Sequence, residues 1–536
     1  MNLTREGLKN REGFLQAGYR LPAYDLETVW AKTKEAPFWL HFGTGNIFRA
    51  FQANVVQNLL NEGILDRGLI AVSGSNPEII EKIYRPHDNL SVLVTLKADG
   101  TMEKTVIGSI AQSVIASSAL QEEYARLKEI FRRDSLQMVS YTITEKGYAL
   151  TDTKGNLKED VKKDLEAGPA APVSYMGLSA ALLYERYLAG ELPVAMVSMD
   201  NCSHNGDVLK QSMMTFAKSW EEANLVKKGF VKYLSKDEKV SFPWTMIDKI
   251  TPRPDKQVQE MLEKDGIDDL KMAVTSKGTY ASPFVNAEEC EYLVIEDHFP
   301  NGRPKLETGG ILFTDRETVD QVEKMKVCTC LNPLHTALAV FGCLLGYEKI
   351  SDEMKDPELK QLVRIIGYEE GLPAVVNPGV LDPKEFIDTV VNIRIPNPFM
   401  PDTPQRIATD TSQKLAIRFG ETIKTYETRE NLDIQNLKRI PLVLAGWLRY
   451  LMAVDDEGKA FELSPDPLLS VVCPYAEQLK LEPGQNTEAV IGPVLKMKHI
   501  FGVDLYEAGL AELVCGYLKE MTAGPGAVRA TLRKYV

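Results

Sequence analysis

The sequence has no CxxC pair, no uninterrupted run of about 18 apolar residues and no excess of positive charge. Its seven cysteines, Cys202, Cys290, Cys328, Cys330, Cys343, Cys473 and Cys515, are odd in number and widely spaced. That pattern excludes a secreted disulfide framework and a zinc ribbon, and it predicts a reducing, cytoplasmic setting. The N-terminal stretch MNLTREGLKNREGF carries no apolar core of a signal peptide. Lys and Arg total 62 against 75 for Asp and Glu, a net charge of -13. Such a surface repels phosphate, so neither nucleic acid nor an anionic membrane is an expected partner. A small anion would need a locally basic pocket.

The chain is 536 residues long, 44% hydrophobic and 26% charged. This is a globular composition with enough apolar material for several domains. Residues 1–35 read as a polar helical lead-in. Strand candidates follow at Phe38–Phe42, Gly68–Val72, Leu90–Leu96, Gln137–Thr144, Val194–Met199, Met272–Thr275 and Tyr292–Ile295. Helical patterns lie between several of them, which predicts a mostly parallel sheet covered on both faces. After about residue 313 strand candidates become scarce. Helical periodicity dominates there, including Thr318–Met325, Thr336–Leu345, Gln405–Ile417 and Ile440–Val454. The expected architecture is an α/β Rossmann-type domain at 1–313 followed by a mostly α-helical domain at 314–536.

The first candidate strand runs into Gly43-Thr44-Gly45-Asn46-Ile47-Phe48. A first glycine allows a tight turn, and a second lets backbone approach a pyrophosphate at the start of the next helix. Phe48 stands where a third glycine would complete the fingerprint, and an ordinary strand-to-helix turn fits GxG equally well. No acidic residue ends the second strand. Ser75 or Asn76 can bond a ribose hydroxyl, and no arginine lies close by in sequence to take a 2′-phosphate, which favours NAD over NADP.

A second cluster lies at Glu323-Lys324-Met325-Lys326-Val327-Cys328-Thr329-Cys330-Leu331-Asn332-Pro333-Leu334-His335. A lysine in apolar surroundings loses proton affinity by desolvation and can exchange a proton near neutrality. An asparagine amide can donate to a developing alkoxide. A buried helix with a snorkelling lysine would show the same residues. Other polar groups in apolar contexts are Asp200–Gly206, which follows a strand, and the Met246–Pro252 block. Arg406 and Lys414 lie eight apart, which on a continuous helix puts both on one face, suited to an anion or several hydroxyls.

Taken together, HFGTGNIFRAFQ (41–52), TEKGY (144–148), DNCSHNG (200–206), MIDKITP (246–252), IEDHFPNGRP (295–304), the Lys–Asn–His segment and the Arg406/Lys414 pair resemble the long-chain polyol dehydrogenase family, in the same order. That family includes mannitol dehydrogenases and hexuronate reductases. The resemblance implies metal-independent hydride transfer between NAD and a secondary alcohol. Lys326 matches the family's acid/base, and Asn201 and Asn332 match the pair holding the reacting oxygen. His335, Arg406, Lys414, Asp248 and Glu323 match substrate-side positions. Gly43 to Phe48, Asn76, Thr144 and Glu145 match the cofactor side. The substrate it implies is a small sugar acid or polyol, taken up by a monomer or homodimer.

TEKGY, LNPLHTALA (331–339) and the long C-terminal tail look closest to the hexuronate reductases. This favours fructuronate and D-mannonate, with tagaturonate and D-altronate next. A polyol 2-dehydrogenase, or an NAD-binding sensor without turnover, are the alternatives. One departure stands out. The family usually has four residues between the lysine and the asparagine, and here there are five. An added residue rotates a regular helix by about 100°. A π-bulge, or a helix break in which Asn332 caps a new helix with Pro333 at its first position, would absorb it. An irregular backbone is therefore expected within 327–333. Lys249 also replaces the arginine more usual in its block.

Overall fold

A computed structural model describes residues 1–74 and 76–536. Ser75, read above as a possible ribose partner, lies outside the described residues. The chain forms two units. The first comprises Met1–Lys97 and Thr101–Asp320, and the second comprises Ala98–Gly100 and Gln321–Val536.

The first unit is built on six strands: β1 (Trp39–Phe42), β2 (Leu69–Ser73), β3 (Ile110–Ile115), β4 (Met138–Tyr141), β5 (Val194–Ser198) and β6 (Val240–Ser241). Their spatial order is β3-β2-β1-β4-β5-β6, and every pairing is parallel. This is the doubly wound order, in which the succession of strands reverses between β1 and β4, the point where such sheets bind ligands. All four residues of β1 are buried, as a strand covered on both faces requires. Because side chains alternate, Leu40 and Phe42 join Ile70, Val72, Val139 and Met196 on one face, beneath the helices Gln121–Phe131, Tyr175–Leu188 and Asn205–Glu222. His41 faces the other way, toward the helical turn that follows β1.

Three smaller sheets complete this unit. In one of them Thr245–Asp248 pairs antiparallel with Tyr292–Glu296, so the MIDKITP block begins as a strand. The strands Met102–Ile107, Ile110–Ile115 and Phe284–Glu288 were not among the sequence candidates. The first two alternate weakly, and each is defined by pairing partners rather than by its own pattern.

The second unit is helical. The predicted helix over Gln405–Ile417 is a correction. A short helix Pro404–Ile407 stops, Asp410 adopts a left-handed φ of 55°, and the chain resumes as a π-helix at Ala416–Gly420. Arg406 and Lys414 therefore do not share one helix face. The stretch Arg316–Leu344 is long and apolar enough, by length and composition, to cross a membrane, but 78% of its apolar window is buried inside the structure. It is a core element here.

Candidate active site

At the end of β1, Gly43 has φ 134°, and a Cβ there would stand 2.5 Å from the Thr142 carbonyl. Only glycine fits. Gly45 is exposed, and a Cβ on it would meet nothing within 4 Å. The turn therefore presents bare backbone before the helix, the form a pyrophosphate needs. Tyr84 Oη donates to the buried Thr44 carbonyl at 3.1 Å, and Asn46 Nδ2 donates to the Pro252 carbonyl at 2.9 Å. The Asn46 side chain thus braces the turn. Ile47 precedes a π-helix, Phe48–Gln52, which passes into an α-helix at Ala53–Asn61. The Phe48 ring stacks on His41, with centroids 4.1 Å apart and planes at 4°. Phe48 fills with a ring the helix–strand contact that a third glycine makes by close approach.

His41 is fully buried between Ser140 Oγ at 2.6 Å and Thr142 Oγ1 at 2.8 Å. Burial pushes its pKa down to about 3, so it is neutral. Thr142 leads from β4 into Thr144 and Glu145, both exposed. Thr144 has φ 63° and ψ 159°, a region that β-branched residues avoid. Asp200, after β5, holds it there: its carboxylate accepts from the Ile143 amide at 2.8 Å, the Thr144 amide at 3.0 Å and Tyr148 Oη at 2.6 Å. Burial raises the Asp200 pKa, against those three bonds. Asn201 follows, exposed. Asp248 is buried at the end of its strand.

Asn76 does not take the position expected of a ribose partner. It is buried, and its Nδ2 donates to Thr275 Oγ1 at 2.8 Å. A cavity of about 190 Å³ nearby is lined by Phe42, Gly74, Ala116, Tyr175 and Lys277, at the carboxyl ends of β1, β2 and β3. Lys277 was missed as a contributor to this region. Lys277 is some 200 residues from β2 in sequence, so no local pattern connects them.

In the second unit Lys326 is buried, 4% exposed, within a π-helix spanning Met325–Cys330. The Leu331 amide donates to the Lys326 carbonyl, five residues back, at 3.1 Å. Leu331 then leaves helical geometry (φ -130°, ψ -62°), and a new α-helix runs Asn332–Leu344 with Pro333 in its first turn. Both expected devices are present: a π-turn and a break. Leu331, not Asn332, is the capping residue. Glu323 is half-buried near the end of the helix Arg316–Lys324. Asn332, His335 and Thr336, spaced three and four apart, share a helix face. Thr336 Oγ1 donates to the Asn332 carbonyl at 2.9 Å and accepts from Arg418 Nη1 at 2.6 Å.

Lys414 donates to the Thr409 carbonyl, and its pKa is lowered, first by burial and then by Arg418. Arg406 is largely exposed and paired with Asp402. Arg418 was not among the sequence candidates. Its neighbour Thr336 lies 82 positions away, and its only sequence signal is a second cation four residues after Lys414.

Residues 38–308 match the family model for the mannitol dehydrogenase Rossmann domain, and residues 318–522 match that for the mannitol dehydrogenase C-terminal domain. The D-mannonate oxidoreductase of Thermotoga maritima is 53% identical over 538 residues, covering 100% of this chain and 99% of that one. A solved D-sorbitol dehydrogenase in substrate-free form superposes with a TM-score of 0.81 at 26% identity, over 99% of both chains. The Pseudomonas fluorescens mannitol 2-dehydrogenase, solved as a ternary complex with NAD and D-mannitol, gives 0.68 at 27% identity, over 100% of this chain and 99% of that one. With both of its halves matched in order, the chain belongs to the mannitol dehydrogenase family and is a dehydrogenase of secondary alcohols built on a Rossmann-type N-terminal domain.

Proposed function

We propose that this protein interconverts a ketohexuronate and a hexonate with NAD(H), fructuronate and D-mannonate being the favoured pair and tagaturonate and D-altronate the second. The observation that carries this reading is the 53% identity, end to end, with a protein named D-mannonate oxidoreductase. The dinucleotide belongs to the Rossmann-type half and the acid/base chemistry to the helical half. When bound, NAD supplies the hydride acceptor at C4 of nicotinamide, and NADH the donor. Lys326, neutral, removes the hydroxyl proton during oxidation and, as ammonium, returns it during reduction. Asn201 and Asn332 donate to the oxygen as its charge develops. His335 orients a neighbouring hydroxyl, while Glu323 and Asp248 flank the reacting groups. Gly43 to Phe48, with Thr144 and Glu145, receive the cofactor. The free cysteines accord with a cytoplasmic enzyme.

The alternative of a polyol 2-dehydrogenase is favoured by the solved mannitol 2-dehydrogenase that aligns with the whole chain. Initial rates with fructuronate, tagaturonate and fructose, each with NADH and NADPH, separate the two. A ketohexuronate with NADH is expected to give the highest kcat/KM. Fructose exceeding both uronates would overturn the assignment.

A further inference from the structure

Several arginines of this protein that are drawn away from solvent are well supplied with acceptors, although the Nε atoms of Arg49 and Arg439 are buried without a hydrogen-bond partner among the described residues. Arg303 pairs with Asp297 and Glu307, and Arg529 with Asp356 and Glu358. Arg186 donates to the carbonyls of Phe131, Arg133, Leu136, Leu192 and Pro193. Arg449 donates to those of Met521, Val454 and Asp455. Arg418 is poorly supplied. Its guanidinium is half-buried and, among the described residues, makes a single hydrogen bond, from Nη1 to Thr336 Oγ1 at 2.6 Å, and no ion pair. A guanidinium offers five N–H donors, and withdrawing it from water without a counter-charge is costly.

Its surroundings sharpen the point. Thr336 is bonded in turn to the Asn332 carbonyl, so the guanidinium is moored to the helix face that carries Asn332 and His335. Lys414 precedes Arg418 by one helical turn, with the Arg418 amide donating to its carbonyl at 2.9 Å. Burial lowers the Arg418 pKa to about 10, which leaves it cationic at neutral pH. Lys414 lies within reach of the Asp410 and Asp466 charges, so in a chain of net charge -13 Arg418 is the cation of this pair with no carboxylate partner among the described residues. Arg406 cannot serve equally well, because Asp402 already neutralises it.

We propose that Arg418 is the residue that recognises the substrate's carboxylate, receiving it on the guanidinium edge left unused by Thr336. The proposal rests on the ketohexuronate reading above and names the group behind its specificity. A planar guanidinium matches a carboxylate through two parallel hydrogen bonds, whereas a neutral polyol would leave the charge unmatched.

The test compares wild type, Arg418→Met and Arg418→Lys on a ketohexuronate, its methyl ester and fructose, with NADH affinity measured in parallel. In Arg418→Met the KM for the acid should rise about 50-fold or more, with kcat changed less than about fivefold. The KM for the ester and for fructose, and the Kd for NADH, should stay at their wild-type values. Arg418→Lys, which keeps charge but loses the planar edge, should fall between. An unchanged KM for the acid in Arg418→Met would overturn the assignment. Should that variant fail to fold, Arg418→Lys decides alone: an acid-to-ester KM ratio equal to that of wild type counts against the proposal. A wild-type enzyme that reduces fructose and no ketohexuronate defeats the functional reading itself. Wild-type activity on the acid, with an indifferent Arg418→Met, defeats only the role of Arg418.

Discussion

The Thr144 amide donates to Asp200 Oδ1 at 3.0 Å while Thr144 holds φ 63° and ψ 159°. One carboxylate after β5 thus fixes a strained residue after β4, on the edge of the sheet where its order reverses. Hydrogen bonds to a charged group contribute about 1.5–3 kcal/mol each, and the Asp200 carboxylate receives two amides and a phenol. Asp200→Ala should let the Thr144 turn relax. The expected result is a rise of about tenfold or more in the NADH Kd, read by fluorescence titration. Thermal stability should fall by several degrees. Unchanged NADH affinity would remove this turn from the cofactor site.

Lys326 is the buried amine on which the proton-transfer proposal depends. Lys326→Ala should lower kcat by about a thousandfold or more, with the NADH Kd within about twofold of wild type. Single-turnover measurements with pre-bound NADH would place the loss in the chemical step. Retention of most of the activity would refute the role.

The π-helix Met325–Cys330 explains how five residues can separate Lys326 from Asn332 where the family resemblance implies four. A wide turn holds the additional residue, so the residues after it are not rotated by a full helical step. Removing Val327, which is only half-buried, should convert the π-turn to ordinary helix and leave kcat/KM within about tenfold of wild type. Inserting one alanine after Val327 exceeds what a single π-turn absorbs and should cost about a hundredfold or more. Equal damage from both changes would show that the π-turn is not a compensating device.

What the sequence disclosed followed from local constraint. The strand Trp39–Phe42 was legible because four consecutive buried positions leave no other reading. The irregularity before Asn332 was legible by counting residues. Other features depend on partners far away. The amide of Asn76 is taken by Thr275, 199 positions on, so its fitness for a ribose could not be judged from its neighbours. Phe48 looked like a defect in a glycine fingerprint, and only its parallel ring contact with His41 shows it as a substitute. The eight-residue spacing puts Arg406 and Lys414 on one face of a continuous helix, and the left-handed Asp410 divides that helix. Arg418 was invisible because nothing in its own segment reveals that its counter-charge is missing.

The two units should respond to pH in opposite directions, each through one buried group. Glu353 is fully buried, neither carboxyl oxygen has a hydrogen-bond partner among the described residues, and a Cβ on Gly342 would collide with one of them. Burial raises its pKa from 4.5 to about 10. Its folded state therefore binds the proton more tightly than the unfolded chain does. The resulting stability is fully present below the unfolded value and is lost as pH rises toward the folded one, by at most about 1.4 kcal/mol per pH unit. His41 behaves conversely. Its pKa falls from 6.5 to about 3, so its stability is present above 6.5 and lost as pH drops toward 3. Unfolding of the helical unit should grow easier from pH 6 to pH 9, and that of the Rossmann-type unit from pH 6 to pH 4. Glu353→Gln has no proton to lose and should flatten the alkaline limb by about 1–3 kcal/mol at pH 8, measured by denaturant titration at matched pH. An alkaline limb equally steep in Glu353→Gln would show that some other group governs it.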